Sequence, residues 1–472
     1  MAQHVVHAEL AGRLVMVGCG SIGQAVLPLI LRHLNVAPER ITIVTADGRG
    51  REEAGSYGIR FLEQALTREN YRSVLAPLVA AGDFLLNLSV DVSSTAIVRF
   101  AHERGALYLD TVVEPWGGVY LDRSLSPSAR SNYALREEML ALRRELGGGA
   151  TAVSAQGANP GLVSQFAKEA ALIVARDTGL RHDQPTDRQG WARLFRDLGI
   201  KAIHVAERDT QVSSRPKRPG EFVNTWSIDG FVSEGCQPAE LGWGTHERHF
   251  PQTGARHEFG CDAAIFLNQP GAGTRVRTWT PNYGPFHGFL VTHNESISIA
   301  DYLTLREGDA VRYRPTVHYA YHPCDDAVIS VHEMAGRGWR QQPEQRLLMD
   351  EITSGMDELG VLLMGHRKGA FWYGSQLTIE RARELAPYNS ATSLQVAAGV
   401  LGGMVWAIEQ PEAGIVEADE LDYRRVLEVA RPYLGPMVGA YTDWSPLDDR
   451  GVLFPEDIDP ADPWQFKNIL VG

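Results

Sequence analysis

The stretch NTWSIDGFVSEG, residues 224–235, sets Trp226 eight residues ahead of Glu234 with Asp229 between them, among otherwise small or apolar side chains. An indole offers a negative π-face and carboxylates offer full charges, so together they suit a cationic guest. Two unit charges about 4 Å apart interact by roughly 4 kcal/mol at an effective dielectric near 20, against about 0.5–2 kcal/mol for a cation over an indole. Carboxylates would therefore anchor such a guest, and the tryptophan would tune it. A further acid, Glu207 in HVAERDTQ, falls on an expected strand 19 residues before Trp226, and adjacent sheet strands could bring Glu207, Trp226 and Glu234 together. A diamine answers to that set: one end stays protonated and anchored, while the other is deprotonated and loses hydride to become an iminium cation. By residue type alone the competing reading is that most of the ten tryptophans fill cores and most glutamates are solvated.

Two histidine groups raise other chemistry. In VTHNESIS, His293 and Glu295 alternate onto one face of an expected strand as an acid/base pair. In HYAYHPCDD, His318, His322, Cys324 and Asp325 are metal-ligand types, but their spacing matches no common zinc pattern and no metal is expected. Arg312 and Arg314 nearby could hold a carboxylate, which would favour an amino-acid substrate over a plain amine.

Gly18-Cys19-Gly20-Ser21-Ile22-Gly23 is GxGxxG after the apolar run 14–17 and ahead of Ile22, Val26, Leu29, Ile30 and Leu34 at helical spacing. Strand, tight turn and helix in that order hold a dinucleotide pyrophosphate on free helix N–H groups. The second strand, 41–44, runs into Thr45-Ala46, with Asp47 two residues late for the usual acidic ribose ligand and Arg49 and Arg51 beyond; NAD is favoured and NADP stays open. Polar residues follow the later strands: Asn87, Ser89 and Asp91, then Asp110, Thr111 and Glu114, then Gln156 and Asn159. They either converge at the carboxyl ends of a parallel sheet or, for Asp91 and Asn159, cap helices.

Positioning these groups takes two kinds of scaffold, and 472 residues with 44% hydrophobic composition suffice for two or three compact units. The fold class expected is α/β: a Rossmann-type doubly wound parallel sheet over 1–150, then a second α+β unit over 151–385 with a largely antiparallel sheet. Residues 129–146 read as a helix stopped by Gly147, Gly148 and Gly149, and the next helix is expected to begin with Asn159 as N-cap and Pro160 at the first helical position. Runs such as KAIHVAE, FVNTWSI, TRVRTWT and AVISVHE read as strands, 354–377 as paired strands, and 391–409 as a small-residue apolar helix. The tail, 441–472, is expected to wrap the surface or a partner subunit.

No stretch reaches the roughly 18 apolar residues of a membrane span, and the start lacks a cationic-then-apolar leader, so no membrane partner and a cytoplasmic location are expected. Cys19, Cys236, Cys261 and Cys324 form no CxxC pair and read as reduced. A formal charge of -13 disfavours nucleic acid and suits cationic small molecules.

The words VGCGSIG, NLSVDVSS, LYLDTVVEPW, GANPGLVS, HVAERDTQ, FVNTWSIDGFVSEG, FLVTHNESISIAD, DELGVLLMGH and DPWQFKN run nearly end to end. Together they resemble bacterial homospermidine synthases, a family similar in fold to saccharopine dehydrogenases and reductases. The resemblance implies NAD kept as a prosthetic group and a net-neutral redox transfer. Two putrescines become homospermidine with loss of ammonia, or spermidine serves as donor with loss of diaminopropane. It places the family's indole on Trp226 and its amine-binding carboxylates on Glu207 and Glu234. His293 and Asn159 join these as candidates for the chemistry, while Asp91, Glu114 and Asp357 fall on substrate-pocket positions. The dinucleotide would meet Gly18, Gly20, Ser21, Ile22, Gly23, Thr45, Asn87, Ser89, Thr111, Glu114 and Asn159, and Thr45 departs from relatives with an acid there. The resemblance also implies a homodimer and a first domain completed by part of 385–445. Two rivals remain: a saccharopine- or carboxyspermidine-type NAD(P)-dependent oxidoreductase, needing a cation such as Arg314 for a substrate carboxylate, and a dinucleotide-binding sensor without turnover.

Overall fold

The apolar runs at 14–17, 84–87 and 107–110 are buried along their whole length, as strands covered on both faces must be. In the computed structural model, which describes residues 4–122 and 124–472, they form the middle of a seven-stranded parallel sheet. Its order is Ala413–Glu417, Gly149–Ser154, Leu107–Asp110, Phe84–Asn87, Leu14–Val17, Ile41–Thr45, Arg60–Glu63. The chain builds outward from Leu14–Val17 in one direction, then returns to add Phe84–Asn87 on the other side. That reversal opens a crevice at the carboxyl ends of the strands. Gly18 turns the chain there with φ +90°, where a Cβ would meet the Leu88 carbonyl at 2.8 Å, and helix Ser21–His33 follows.

The last strand of this sheet comes from far along the chain: Ala413–Glu417 pairs in parallel with Gly149–Ser154. Helix Ala391–Glu409 leads into it and packs on helix Ser21–His33. Reciprocal bonds between Ser390 and Ser393 cap its start. By length and composition this helix, among the described residues, is apolar enough to cross a membrane, but here its faces are buried in protein.

The second unit is organised on a ten-stranded sheet, largely antiparallel, with the order Gly254–Arg256, Ala264–Pro270, Pro238–Gly242, Thr316–His322, Ala202–Asp209, Met356–His366, Gly369–Thr378, Met437–Thr442. The hairpin Arg275–Thr280 with Gly284–Phe289 joins it at Thr316–His322. Its centre, Ala202–Asp209, pairs in parallel with Thr316–His322 and antiparallel with Met356–His366. One apolar cluster passes from the parallel sheet through helices Leu162–Thr178 and Ala391–Glu409 into this sheet, so both sheets share a core. In the tail, Trp444, Trp464, Phe466 and Ile469 are buried against the mixed sheet of their own chain.

Several local expectations change. AVISVHE is not a strand but lies inside helix Asp325–Gly336, where Asp325 and Asp326 occupy the first turn and Ala327, Ser330, Val331 and Met334 bury one stripe. Burial at helical spacing outweighs the strand preference of its β-branched residues. Helix Leu162–Thr178 starts after Gly161, so Asn159 is not its cap and Pro160 precedes it rather than opening it. The helix expected over 129–146 is Asn132–Leu146, preceded by a separate turn, Ser128–Arg130, and capped by Ser131.

Candidate active site

A cavity of about 710 Å3 lies between the carboxyl ends of the parallel strands and the mixed sheet. On the first unit it is lined by the glycine turn and the start of helix Ser21–His33. Gly20 holds the N-cap position with no side-chain cap, so the first-turn N–H groups stay open to an anion. Gly18, Gly20, Ser21, Ile22, Thr45, Ser89, Thr111, Glu114 and Asn159 all line the cavity, and Gly23 and Asn87 do not. A Cβ at Gly23 would meet the Gly18 oxygen at 2.8 Å, so its part is to let helix and strand approach. Asn87 donates to the Tyr108 hydroxyl at 3.2 Å and accepts from the Ser89 hydroxyl at 2.6 Å, which orients Ser89 at the wall. An uncapped helix start, a bare glycine edge and neighbouring hydroxyls fit a dinucleotide. At the outer end of the same wall, the Asp47 carboxylate accepts from the Arg49 backbone N–H and Nε, each at 2.9 Å.

Around the other end of the cavity the acids gather. Asp91 has φ +62° and lines the wall, while Ser93 caps the following helix Ser94–Arg104. Burial, then the charge of Asp229, pushes its carboxyl up. Glu114 is 4% exposed and accepts from the Tyr120 hydroxyl at 3.3 Å. Burial, with Glu234 and Asp91 adding repulsion, pushes it up to about 8.

Glu207 reaches the cavity from the central strand of the mixed sheet. Its Oε2 accepts from Asn159 Nδ2 at 2.9 Å and from the Tyr319 hydroxyl at 2.5 Å. Burial pushes it up to about 7; Asp209 adds to the rise, while the two hydrogen bonds and the His293 charge oppose it. Asp357 does not line the cavity. It lies behind Glu207, on the strand beside it, opposite Asp209 in register. Burial, then Glu207 and Asp209, pushes Asp357 well above the usual carboxylate range, and neither of its oxygens has a hydrogen-bond partner.

Glu234 and His293 arrive on different elements from those expected. Glu234 is on helix Ile228–Cys236, and His293 stands at the start of helix Asn294–Tyr302 with Glu295 in its first turn, not on a strand. The imidazole nevertheless meets both acids: Nε2 to Glu234 Oε2 at 3.0 Å, Nδ1 to Glu295 Oε1 at 3.1 Å. Burial alone would push it down, but Glu295 and Glu234 together lift it to about 10. Trp226 sits in the loop between strand Glu221–Asn224 and that helix, half-buried, with its Nε1–H donating to the Tyr321 hydroxyl at 2.9 Å. Glu207, Trp226 and Glu234 therefore meet at one cavity from a strand, a loop and a helix rather than from adjacent strands.

The other sequence candidates lie elsewhere. Arg314 is buried away from the cavity, donating to Thr304 Oγ1 and the Asp262 carbonyl, and Arg312 pairs with Glu307 at the surface. Among the described residues no three His, Cys, Asp or Glu side chains are arranged to hold a metal ion. Tyr319, Asp209 and Gln345 were passed over in the sequence, although Tyr319 and Gln345 line the cavity and Asp209 backs it. The signal for the first was alternation in HYAYH: on strand Thr316–His322 the tyrosines share one face and the histidines the other.

Residues 14–153 match the saccharopine dehydrogenase NADP binding domain, and residues 157–442 match the saccharopine dehydrogenase C-terminal domain. The chain is 59% identical over 476 residues to a homospermidine synthase of Blastochloris viridis, covering 100% of both chains. It is 53% identical to a homospermidine synthase of Mesorhizobium japonicum, covering 99% of this chain and 98% of that one. A crystal structure of the homospermidine synthase of Legionella pneumophila in complex with NAD superposes with a TM-score of 0.93 at 49% identity, over 98% of each chain. With matches of this identity over its whole length, the chain belongs to the homospermidine synthase family.

Proposed function

We propose that this protein is an NAD-dependent homospermidine synthase. It transfers an aminobutyl group from putrescine, or from spermidine, to a second putrescine, releasing ammonia or diaminopropane. The observation that carries the reading is the charge on the cavity wall. Asp47, Asp91, Glu114, Glu207, Asp229 and Glu234 line it, and the cationic side chains there are Arg49, which Asp47 engages, and the His293 imidazolium. A dication is attracted to such a wall; among the described residues a substrate carboxylate has no free cation to meet there, because Arg314 is buried away from the cavity. This favours a diamine over the amino-acid substrate of the oxidoreductase rival.

NAD, when bound, accepts a hydride from the amine-bearing carbon and returns it after the nitrogens have exchanged. The chain's residues do the rest. Glu207, steadied by Asn159 and Tyr319, takes one ammonium end, and a group poised near neutral pH can also receive its proton. Glu234 and Glu114 receive the other end, with His293 orienting Glu234; an imidazole protonated up to about pH 10 acts as a fixed cation and not as the base. Trp226 offers its face to the iminium formed between the two ends. Asp47 meets the ribose hydroxyls in place of the acid absent at position 45, favouring NAD. The assembly is read as a homodimer.

Purified protein incubated with NAD and putrescine should yield ammonia and homospermidine in equal amounts without accumulation of NADH. Lasting NADH would support the oxidoreductase instead, and NAD binding without any product would support the sensor.

A further inference from the structure

Strand Thr316–His322 places Tyr319 and Tyr321 two residues apart on one face, and the rings stack with centroids 5.1 Å apart and planes 10° from parallel. Tyr319 donates to Glu207 at 2.5 Å, while Tyr321 accepts from the Trp226 indole at 2.9 Å. The carboxylate and the indole are thus both tied to one stacked pair. Tyr321 is fully buried, lies opposite Glu207 in the strand register and does not line the cavity.

We propose that Tyr321 is a positioning residue: through the indole N–H it fixes the Trp226 ring relative to Glu207, so that the π-face meets the iminium when the ammonium end is anchored. The inference rests on the reading of the cavity as a diamine site. The ring is confined elsewhere by packing. Phe231 lies against it at 5.6 Å between centroids and meets Tyr321 edge-on at 5.8 Å. Gly230 leaves room for its edge, since a Cβ there would stand 3.3 Å from Trp226 Cζ3. Packing restrains tilt, but only the hydrogen bond distinguishes the nitrogen edge from the rest of the ring. An indole that donates its N–H is also polarised toward greater π-density, which strengthens its hold on a cation.

The test is a double-mutant cycle with Tyr321→Phe and Trp226→Phe, because phenylalanine at 226 keeps a ring face and has no N–H. Tyr321→Phe alone should lower kcat about 5- to 10-fold, with KM for putrescine changed less than about twofold, since the anchoring carboxylates are untouched. In the Trp226→Phe background the same substitution should cost less than about twofold. A second measurement needs no turnover: in NAD-loaded enzyme without diamine, the 15N–1H indole resonance missing from Trp226→Phe should move upfield in Tyr321→Phe. Equal losses in both backgrounds, or an unmoved indole resonance, would overturn the proposal. A wild-type enzyme that makes no homospermidine would instead sink the functional reading, and the resonance would still decide the Tyr321 contact.

Discussion

Arg136 and Glu207 are buried alike, each 2% exposed, yet their surroundings differ in kind. The Arg136 guanidinium spans Glu417, through bonds of 2.6 and 2.7 Å, and Asp301 at 2.9 Å, tying helix Asn132–Leu146 to the last strand of the parallel sheet and to helix Asn294–Tyr302. Every charge there has its opposite. Glu207 has Asp209 and Asp357 for neighbours and opens onto a cavity already lined by other acids. A balanced buried cluster holds units together; an unbalanced one beside a cavity waits for a cation to complete it. The same burial therefore serves the fold in one place and, in the proposed function, ligand binding in the other.

Breaking the balanced cluster should have the largest effect. Arg136→Ala leaves the Glu417 carboxylate without its guanidinium and Asp301 with Arg188 alone, and should cost about 3–5 kcal/mol of stability, read as a lower denaturation midpoint, with activity per folded molecule little changed. If the midpoint holds, the cluster is not what joins the units. Glu207→Gln should do the reverse. It keeps an oxygen for Asn159 and Tyr319 and relieves repulsion with Asp209 and Asp357, so stability should hold or rise, while kcat/KM for putrescine falls about 100-fold, equivalent to about 2.7 kcal/mol. Unchanged saturation curves for both Glu207→Gln and Glu234→Gln would contradict their proposed role as anchors.

The contrast also has a pH signature. Glu114 and Glu207, at about 8 and about 7 when folded, lie above their ordinary carboxylate values. Between pH 5 and 8 the folded state holds protons that the unfolded state has released, so ligand-free stability should fall as pH rises across that window. Putrescine, which favours the ionised acids, should offset the fall at the upper end and bind with release of protons. Calorimetry in buffers of different ionisation enthalpy reads that release directly; proton uptake on binding would reverse the argument. The smallest effect belongs to the exposed end of the cavity: Asp47→Asn should weaken NAD about fivefold and narrow its preference over NADP, by fluorescence titration, with kcat at saturating NAD preserved.

Much of the molecule was legible before its structure. GxGxxG after a four-residue apolar run specifies strand, turn and helix locally, and the paired strands of 354–377 carry their own turn at 367–368. Where reading by residue type failed, the competing signal was burial. AVISVHE carries strand-forming residues, but its buried side chains fall on one helical stripe, and VTHNESIS looks alternating although His293 precedes a helix. Arg314 had the right chemistry for a carboxylate, but whether a guanidinium is free depends on the carbonyls folded around it.

The residue types of this chain determined that a dinucleotide turn would form and that acids and an indole were available for a cation, because turn geometry and side-chain charge are properties of short segments. The elements carrying Glu207, Trp226 and Glu234, their convergence on one cavity, and the identity of His293 as a cation were decided only by tertiary structure. Proximity between distant segments sets both desolvation and charge pairing, and neither exists until the two sheets close on each other.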